Sequence, residues 1–304
     1  MSKKLPLVSI ITTVYNRESL IEETILSVLG QNYPNLEYLV LDDGSKDQSL
    51  KVINKYKNKL KVYSHQNMGE SKTVNKGFQL AKGEFIMVVN SDDPLYPGAI
   101  WESVEFIQKH QDITVIYPDW DYIDENGKFI SHVKVPEYDY QYMVGCHKCF
   151  VGPGTFFRRQ ALALVGGRDP NFCYVSDFDF WLRLGLKVKF LRIPKTLAKF
   201  RVHRHSASHS EQGMKMAAED IQLINKLYSL PNLPKKIKKI KKQAYASAHF
   251  HAAQVSGTNK KLALYHFLKS VIYYPDGFSE TSRSKWLFNY FKNFLFGKRK
   301  NAQS

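Results

Sequence analysis

Short apolar runs alternate with helix-period segments up to about residue 120, and this alternation restricts the chain to one class of architecture more than any other feature does. The runs lie at Leu7 to Val14, Glu37 to Leu41, Lys61 to Ser64 and Glu84 to Val89, and helical patterns at Ser19 to Leu29, Asp47 to Tyr56, Glu70 to Ala81 and Pro97 to Lys109. A run such as Phe85-Ile86-Met87-Val88-Val89 is apolar at every position, as a strand buried on both faces requires. Connections this short leave room only for repeated β–α crossovers, so the chain is predicted to be α/β, with a mainly parallel sheet covered by helices. With 43% hydrophobic residues among 304, it carries the side chains for a core of that size.

Residues 113 to 210 are less regular. Strands are expected at Ile113 to Tyr117, Phe129 to Val133 and Val188 to Ile193, with a helix at Asp177 to Leu186 and loops at Gly152-Pro153-Gly154 and Gly166-Gly167. Beyond Glu211 the pattern is helical throughout: Met214 to Tyr228, Ile237 to Val255 and Lys260 to Tyr274, broken at Pro231 and Pro234. The predicted division is a ligand-binding domain over residues 1 to 210 and a helical region over 211 to 304. Within the first domain, residues up to about 110 form a nucleotide-binding half, and 111 to 210 read a second substrate.

Of the net charge of +16, residues 1 to 210 contribute 27 basic and 23 acidic side chains, whereas 211 to 304 contribute 17 and 5. The excess therefore sits in the helical region and calls for an anionic partner. Trp286, Phe288, Phe291, Phe294 and Phe296, followed by Lys298-Arg299-Lys300, suit an anionic membrane surface better than nucleic acid. No apolar stretch reaches the roughly 18 to 20 residues of a spanning helix, and Met1-Ser2-Lys3-Lys4 runs directly into a strand. The expectation is a cytoplasmic protein, peripheral on the inner face of the plasma membrane. Cys146, Cys149 and Cys173 cannot form a disulfide framework. Cys146-x-x-Cys149 encloses His147, but no second pair follows to complete four zinc ligands, so these are read as plain thiols.

The chemistry gathers where strands end. The first strand opens through Thr12, Thr13 and Val14 into Tyr15-Asn16-Arg17, a turn able to present donors to a base or diphosphate, or else a helix cap on Asn16. Asp42-Asp43-Gly44-Ser45 follows the second strand, where a carboxylate can accept from a base N–H or a ribose hydroxyl. Asn67, Lys72, Asn75 and Lys76 surround a helix N-terminus suited to a nucleotide phosphate. Asn90-Ser91-Asp92-Asp93 ends the fourth run, and two adjacent carboxylates there favour a hard divalent cation bridging to a diphosphate. No GxGxxG follows the first strand and no GxxxxGK[ST] occurs, which argues against a dinucleotide fold and a P-loop.

In order and spacing, Val8 to Arg17, Asp42 to Ser45, Asn67 to Gly77 and Asn90 to Asp93 resemble the inverting glycosyltransferases of family 2, over about residues 6 to 210. The resemblance implies the GT-A fold, a Rossmann-like mixed sheet, here with a C-terminal helical extension. It implies a nucleotide-sugar donor, most often a UDP-sugar, held by Thr12, Thr13, Tyr15, Asn16, Arg17, Asp42, Asp43, Asn67, Lys72, Asn75, Asn90, Ser91 and Asp92. Mn²⁺ or Mg²⁺ would sit on a DxD-type motif at Asp92, with Asp93 supporting and His203, from Arg201-Val202-His203-x-x-Ser206-x-Ser208, as a further ligand. Asn90 stands where the family commonly has Asp, which predicts a weaker hold on the cation.

The stretch Tyr174-Val175-Ser176-Asp177-Phe178-Asp179 resembles the family's Glu-Asp motif and makes Asp177 the general base, with Asp179 its nearest competitor. Gly154-Thr155-Phe156-Phe157-Arg158-Arg159 resembles an acceptor-side element, giving Thr155, Phe156, Arg158 and, further on, Trp181 as acceptor residues. The implied acceptor is a hydroxyl of a glycan or lipid-linked glycan in envelope or capsular polysaccharide synthesis. Other readings of the chain are a nucleotidyltransferase making a nucleotide-sugar, and a nucleic-acid binder working through the basic tail.

Overall fold

The structure, a computed structural model, describes residues 5–203, 213–256, 259–275 and 283–287. The chain forms two compact units, one comprising Met1–Tyr140 with Cys149–Ala207, the other Gln141–Lys148 with Ser208–Ser304. The short segment 141–148 belongs to the second, helical unit. Nothing in its sequence marks that excursion.

The first unit begins β1 (Val8–Val14), α1 (Ile21–Leu29), β2 (Leu36–Asp42), α2 (Ser49–Asn54), β3 (Lys61–Ser64), α3 (Glu70–Leu80), β4 (Phe85–Val88) and α4 (Ala99–Lys109). Then follow β5 (Val115–Ile123), β6 (Phe129–Val133), α5 (Tyr140–Gly145), β7 (Phe156–Arg158), α6 (Leu162–Val165), α7 (Ser176–Gly185) and β8 (Phe190–Arg201). One eight-stranded sheet runs β3-β2-β1-β4-β7-β5-β6, with β8 paired to β5. β1, β2, β3 and β4 pair in parallel, as does β8 with β5, whereas β7 runs antiparallel to both β4 and β5. The fold is thus a mixed, mainly parallel sheet flanked by helices.

The apolar runs are buried as their composition demands: Val8, Ile10, Ile11, Leu39, Val40, Leu41, Phe85, Ile86 and Met87 are fully shielded. Close packing of α3 on β1 depends on Gly77, where a Cβ would stand 2.5 Å from Ile11 Cγ2. β1 lies between β2 and β4, so the strand order reverses there, and the loops leaving the carboxyl ends of β1 and β4 flank a crevice. Those loops carry Tyr15-Asn16-Arg17 and Asn90-Ser91-Asp92-Asp93.

Two expected acceptor residues belong to this core. Phe156 is fully buried in β7 and stacks on Phe85 at 5.1 Å. Trp181 lies on the buried side of α7 against Phe157, Phe180 and Phe190. Arg158 is also lost to the acceptor: its guanidinium donates to the carbonyls of Ile113 at 2.9 Å and Ile107 at 3.1 Å.

In the second unit, α5 is joined by α8 (Gly213–Ser229), α9 (Lys235–Lys239), α10 (Lys241–Val255) and α11 (Lys260–Tyr273). Ala244, Ala248 and Ala252 on α10, with Ala263 and Phe267 on α11, are buried. Trp286, expected at a membrane, stacks on Phe267 at 4.9 Å. Its aromatic successors Phe288 to Phe296, the basic residues at 298 to 300, and Ser206 and Ser208 lie outside the described residues.

Candidate active site

At the crevice, Asp92 collects partners from three parts of the chain. Its Oδ2 lies 2.9 Å from Nε2 of His203, just beyond β8, and 3.5 Å from Nε of Arg17, on the loop after β1. The Arg17 Nε is buried and finds no hydrogen-bond acceptor among the described residues. A buried guanidinium N–H beside a carboxylate and an imidazole suits an anionic oxygen brought in by a ligand.

Asp93 points the other way. Its Oδ1 accepts from the backbone N–H of Arg201 at 2.8 Å and its Oδ2 from Asn90 Nδ2 at 2.8 Å, so both oxygens are spent inside the protein. Burial, and then the charge of Asp92, raise its pKa to about 7. Asp93 therefore holds the loop and is not placed as a cation ligand. Arg201 fixes the same loop from β8: its side chain donates to the Asp92 carbonyl at 3.1 Å, to the carbonyls of Asp124 and Glu125 at 3.1 Å each, and to the Glu23 carboxylate. The motif Arg201-Val202-His203 was legible in the sequence, but this anchoring by Arg201 was not.

Several expected donor-binding residues are committed to shaping the loops. Thr12 is buried with its hydroxyl 3.2 Å from that of Tyr38. Asp42 accepts from the Ser64 hydroxyl at 2.9 Å and from the Ser45 N–H at 3.3 Å. Asp43 accepts from the N–H groups of Met68 at 2.8 Å and Gly69 at 3.0 Å, and Asn67 donates to the Asp43 carbonyl at 3.0 Å. Asn75 exchanges two hydrogen bonds with the Arg168 backbone, at 2.7 and 2.8 Å. Thr12, Asp42, Asp43 and Asn75 thus each make hydrogen bonds inside the fold that fix the loops around the crevice.

Those pairings build the turns on which other residues stand. Asn16, at φ 52°, bonds through its N–H to Ser45 Oγ at 3.0 Å and through Oδ1 to the Lys46 N–H at 2.8 Å. It is not a helix cap, since α1 starts at Ile21. Tyr15, Asn16, Asn67, Lys72 and Asn90 are exposed, Thr13 is half-buried, and Ser91 is buried beside Asp92. Thr155 is buried and donates to the Gly152 carbonyl at 2.6 Å, closing a turn and leaving the acceptor.

The two carboxylates of α7 part company. Asp179 is buried and ion-paired to Arg183 Nε at 2.7 Å, one helical turn on. Asp177 is half-buried and accepts from the adjacent Phe178 N–H at 2.7 Å. Of the pair, only Asp177 keeps a carboxylate oxygen available to a substrate. Cys149 lies near enough for Asp177 to act on it: burial first, then that charge, push the thiol well above its ordinary value.

The residues fit a divalent cation in part. Asp92 and His203 offer one carboxylate and one imidazole, two protein ligands where an octahedral ion would take its remaining oxygens from a diphosphate and water.

The chain matches the family described as Glycosyl transferase family 2 over residues 9–164, about half its length. It belongs to that family. A glycosyltransferase of Rickettsia bellii, itself called uncharacterized, is 27% identical over 233 residues, which cover 74% of this chain and 33% of that one, so this chain spans a third of that relative. Among solved structures, residues 1–349 of TarS from S. aureus align over 96% of this chain and 92% of that one, with a TM-score of 0.63 at 17% identity. The TarS fragment was also solved with UDP-GlcNAc, at a TM-score of 0.55 and 21% identity over 88% of this chain and 89% of that one. A mannosyltransferase from Pyrobaculum calidifontis, solved with GDP-Man and Mn²⁺, aligns over 96% of this chain and 88% of that one, with a TM-score of 0.61 at 15% identity. The fold is accordingly GT-A, and membership of this family favours the glycosyltransferase reading over the nucleotidyltransferase one.

Proposed function

We propose that the protein transfers a sugar, with inversion, from a UDP-sugar to a hydroxyl of a glycan or lipid-linked glycan during envelope or capsular polysaccharide synthesis. The observation that carries this reading is the meeting of Arg17, Asp92 and His203 at the crevice where the strand order reverses. Support comes from the nucleotide-sugars held by the TarS and mannosyltransferase structures, one of them with Mn²⁺.

Arg17 and His203 face the diphosphate and neutralise charge as it leaves. Asp92 and His203 would hold Mn²⁺ or Mg²⁺, which when bound offsets the negative charge of the leaving diphosphate. Asp177 accepts the proton of the attacking hydroxyl, and the hydroxyl oxygen bonds to the anomeric carbon from the face opposite the diphosphate. The panel that tests this reading offers UDP- and GDP-sugars with and without Mn²⁺ or Mg²⁺, follows thermal stabilisation, and then determines the anomeric configuration of the product. Stabilisation by a UDP-sugar and an inverted product are expected; retention of configuration would overturn the mechanism.

The acceptor is proposed to lie at an anionic membrane surface, with the protein attached from the cytoplasmic side. Tyr265, Leu268 and Ile272 of α11 are exposed at 51%, 51% and 71%, and their spacing places them on one helix face. Lys261 and Lys269 lie along the same helix. Exposed apolar groups with lysines suit an interfacial helix, and no helix among the described residues is long and apolar enough to cross a membrane. Sedimentation with anionic vesicles, and its loss in Ile272→Lys, checks this placement.

A further inference from the structure

The helical unit contains a second cluster of titratable side chains, none of them among the residues of the crevice. His147 follows α5, Asp220 lies mid-way along α8 and His251 lies on α10, and their side chains converge. His147 Nε2 is 2.9 Å from Asp220 Oδ1, and His251 Nδ1 is 2.8 Å from Asp220 Oδ2. One nitrogen from each imidazole and one carboxylate oxygen lie within 4.8 Å of one another, and among the described residues this is the one group of three such side chains. His147 and Asp220 side chains are 1% exposed, while that of His251 is 41% exposed, which leaves a way in for an ion.

The backbone pays for this arrangement. His147 adopts φ 49°, a left-handed conformation that a non-glycine residue takes only when its surroundings impose it, and such residues concentrate at functional sites. The turn sends the imidazole inward, while its neighbour Cys146 is exposed.

We propose that His147, Asp220 and His251 form a binding site for a divalent transition metal of the zinc class. Two imidazole nitrogens and one carboxylate oxygen are the donors such ions prefer, whereas Mg²⁺ and Ca²⁺ seek oxygen-rich sites. Three protein ligands leave one tetrahedral position for water, and the bound ion ties the segment 141–148 to α8 and α10. The CxxC spacing directed attention to the cysteines; the structure assigns the ligand role to the histidine between them.

The test uses the tag-free full chain, stripped of metal by a chelator. Asp92→Asn is the background, so that uptake at the crevice does not confuse the count. Zn²⁺ titration by calorimetry and Co²⁺ titration by visible absorbance are run on that variant and on the double variant carrying His251→Gln, with circular dichroism checking that both stay folded. One Zn²⁺ per chain, with affinity falling more than about 10-fold on loss of His251 or, separately, of His147 through His147→Gln, is the expected result. No uptake in the Asp92→Asn chain, or equal uptake with and without His251, would overturn the site and leave a hydrogen-bonded His–Asp–His cluster only.

Discussion

Asp92 and His203 are 111 residues apart in sequence and meet at 2.9 Å, joining the end of β4 to the end of β8 at the crevice. One partner follows β4 and the other follows β8, the last strand of the sheet. The proposed diphosphate site is therefore complete only when β8 has joined the sheet.

Replacing His203 with alanine removes a partner of the Asp92 carboxylate and, in the proposed mechanism, a donor to the diphosphate. A hydrogen bond to a charged group contributes about 1.5–3 kcal/mol, so UDP affinity is expected to fall about 10- to 100-fold by calorimetric titration. An unchanged affinity would separate His203 from the donor site.

On α7, Asp177→Asn and Asp179→Asn should differ in kind. The first removes the proposed base and is expected to lower kcat about 10² to 10⁴-fold with UDP binding intact. The second breaks the buried pair with Arg183 and is expected to lower the unfolding midpoint. If Asp177→Asn kept near-normal turnover, the base lies elsewhere.

Arg201 satisfies three backbone carbonyls and Glu23 from a side chain that is 1% exposed. Arg201→Met leaves those groups unpaired and should cost about 3 kcal/mol in denaturant unfolding, with weakened donor binding as the Asp92 loop loosens. A stable variant with full affinity would show that the loop holds without it.

The helical unit should weaken in acid. His249 and His266 share an Nδ1···Nδ1 contact of 2.8 Å, and burial, then the charges of His266 and Lys269, lower the His249 pKa to about 4. A histidine lowered in the folded state adds stability that is full above about pH 6.5 and lost as pH falls through about 4. The expected loss over that window is about 2–3 kcal/mol, and His249→Phe should flatten the slope of stability against pH. An identical slope in that variant would place the acid sensitivity elsewhere.

The strands and helices of the first 110 residues were legible because each run is long and of one period. β3 has the expected bounds of Lys61–Ser64, and α3 ends one residue short of the expected Ala81. β7 was not legible: three residues carry no period, and Phe156 and Arg158 look the same in a core strand as at an acceptor surface. α5 is equally short, and its membership of the helical unit depends on contacts with residues far along the chain. At the site, sequence indicated where polar groups collect but not which were already paired. Asp42 and Asp93 are as acidic as Asp92, yet loop N–H groups and side-chain donors use both oxygens of each. Asp177 could be preferred to Asp179 only by analogy, until the ion pair with Arg183 separated them.

The excursion of 141–148 constrains how the protein can be made and divided. Met143 and Val144 are fully buried, and beside them Gly145 packs near Gln243 and His147 pairs with Asp220, so on the ribosome those partners are missing until α8 and α10 have emerged. A shortened version ending near residue 210 would keep that turn without its partners Asp220 and Gln243. Expression of the first unit alone would then require redesign of the turn as well as a new stop codon.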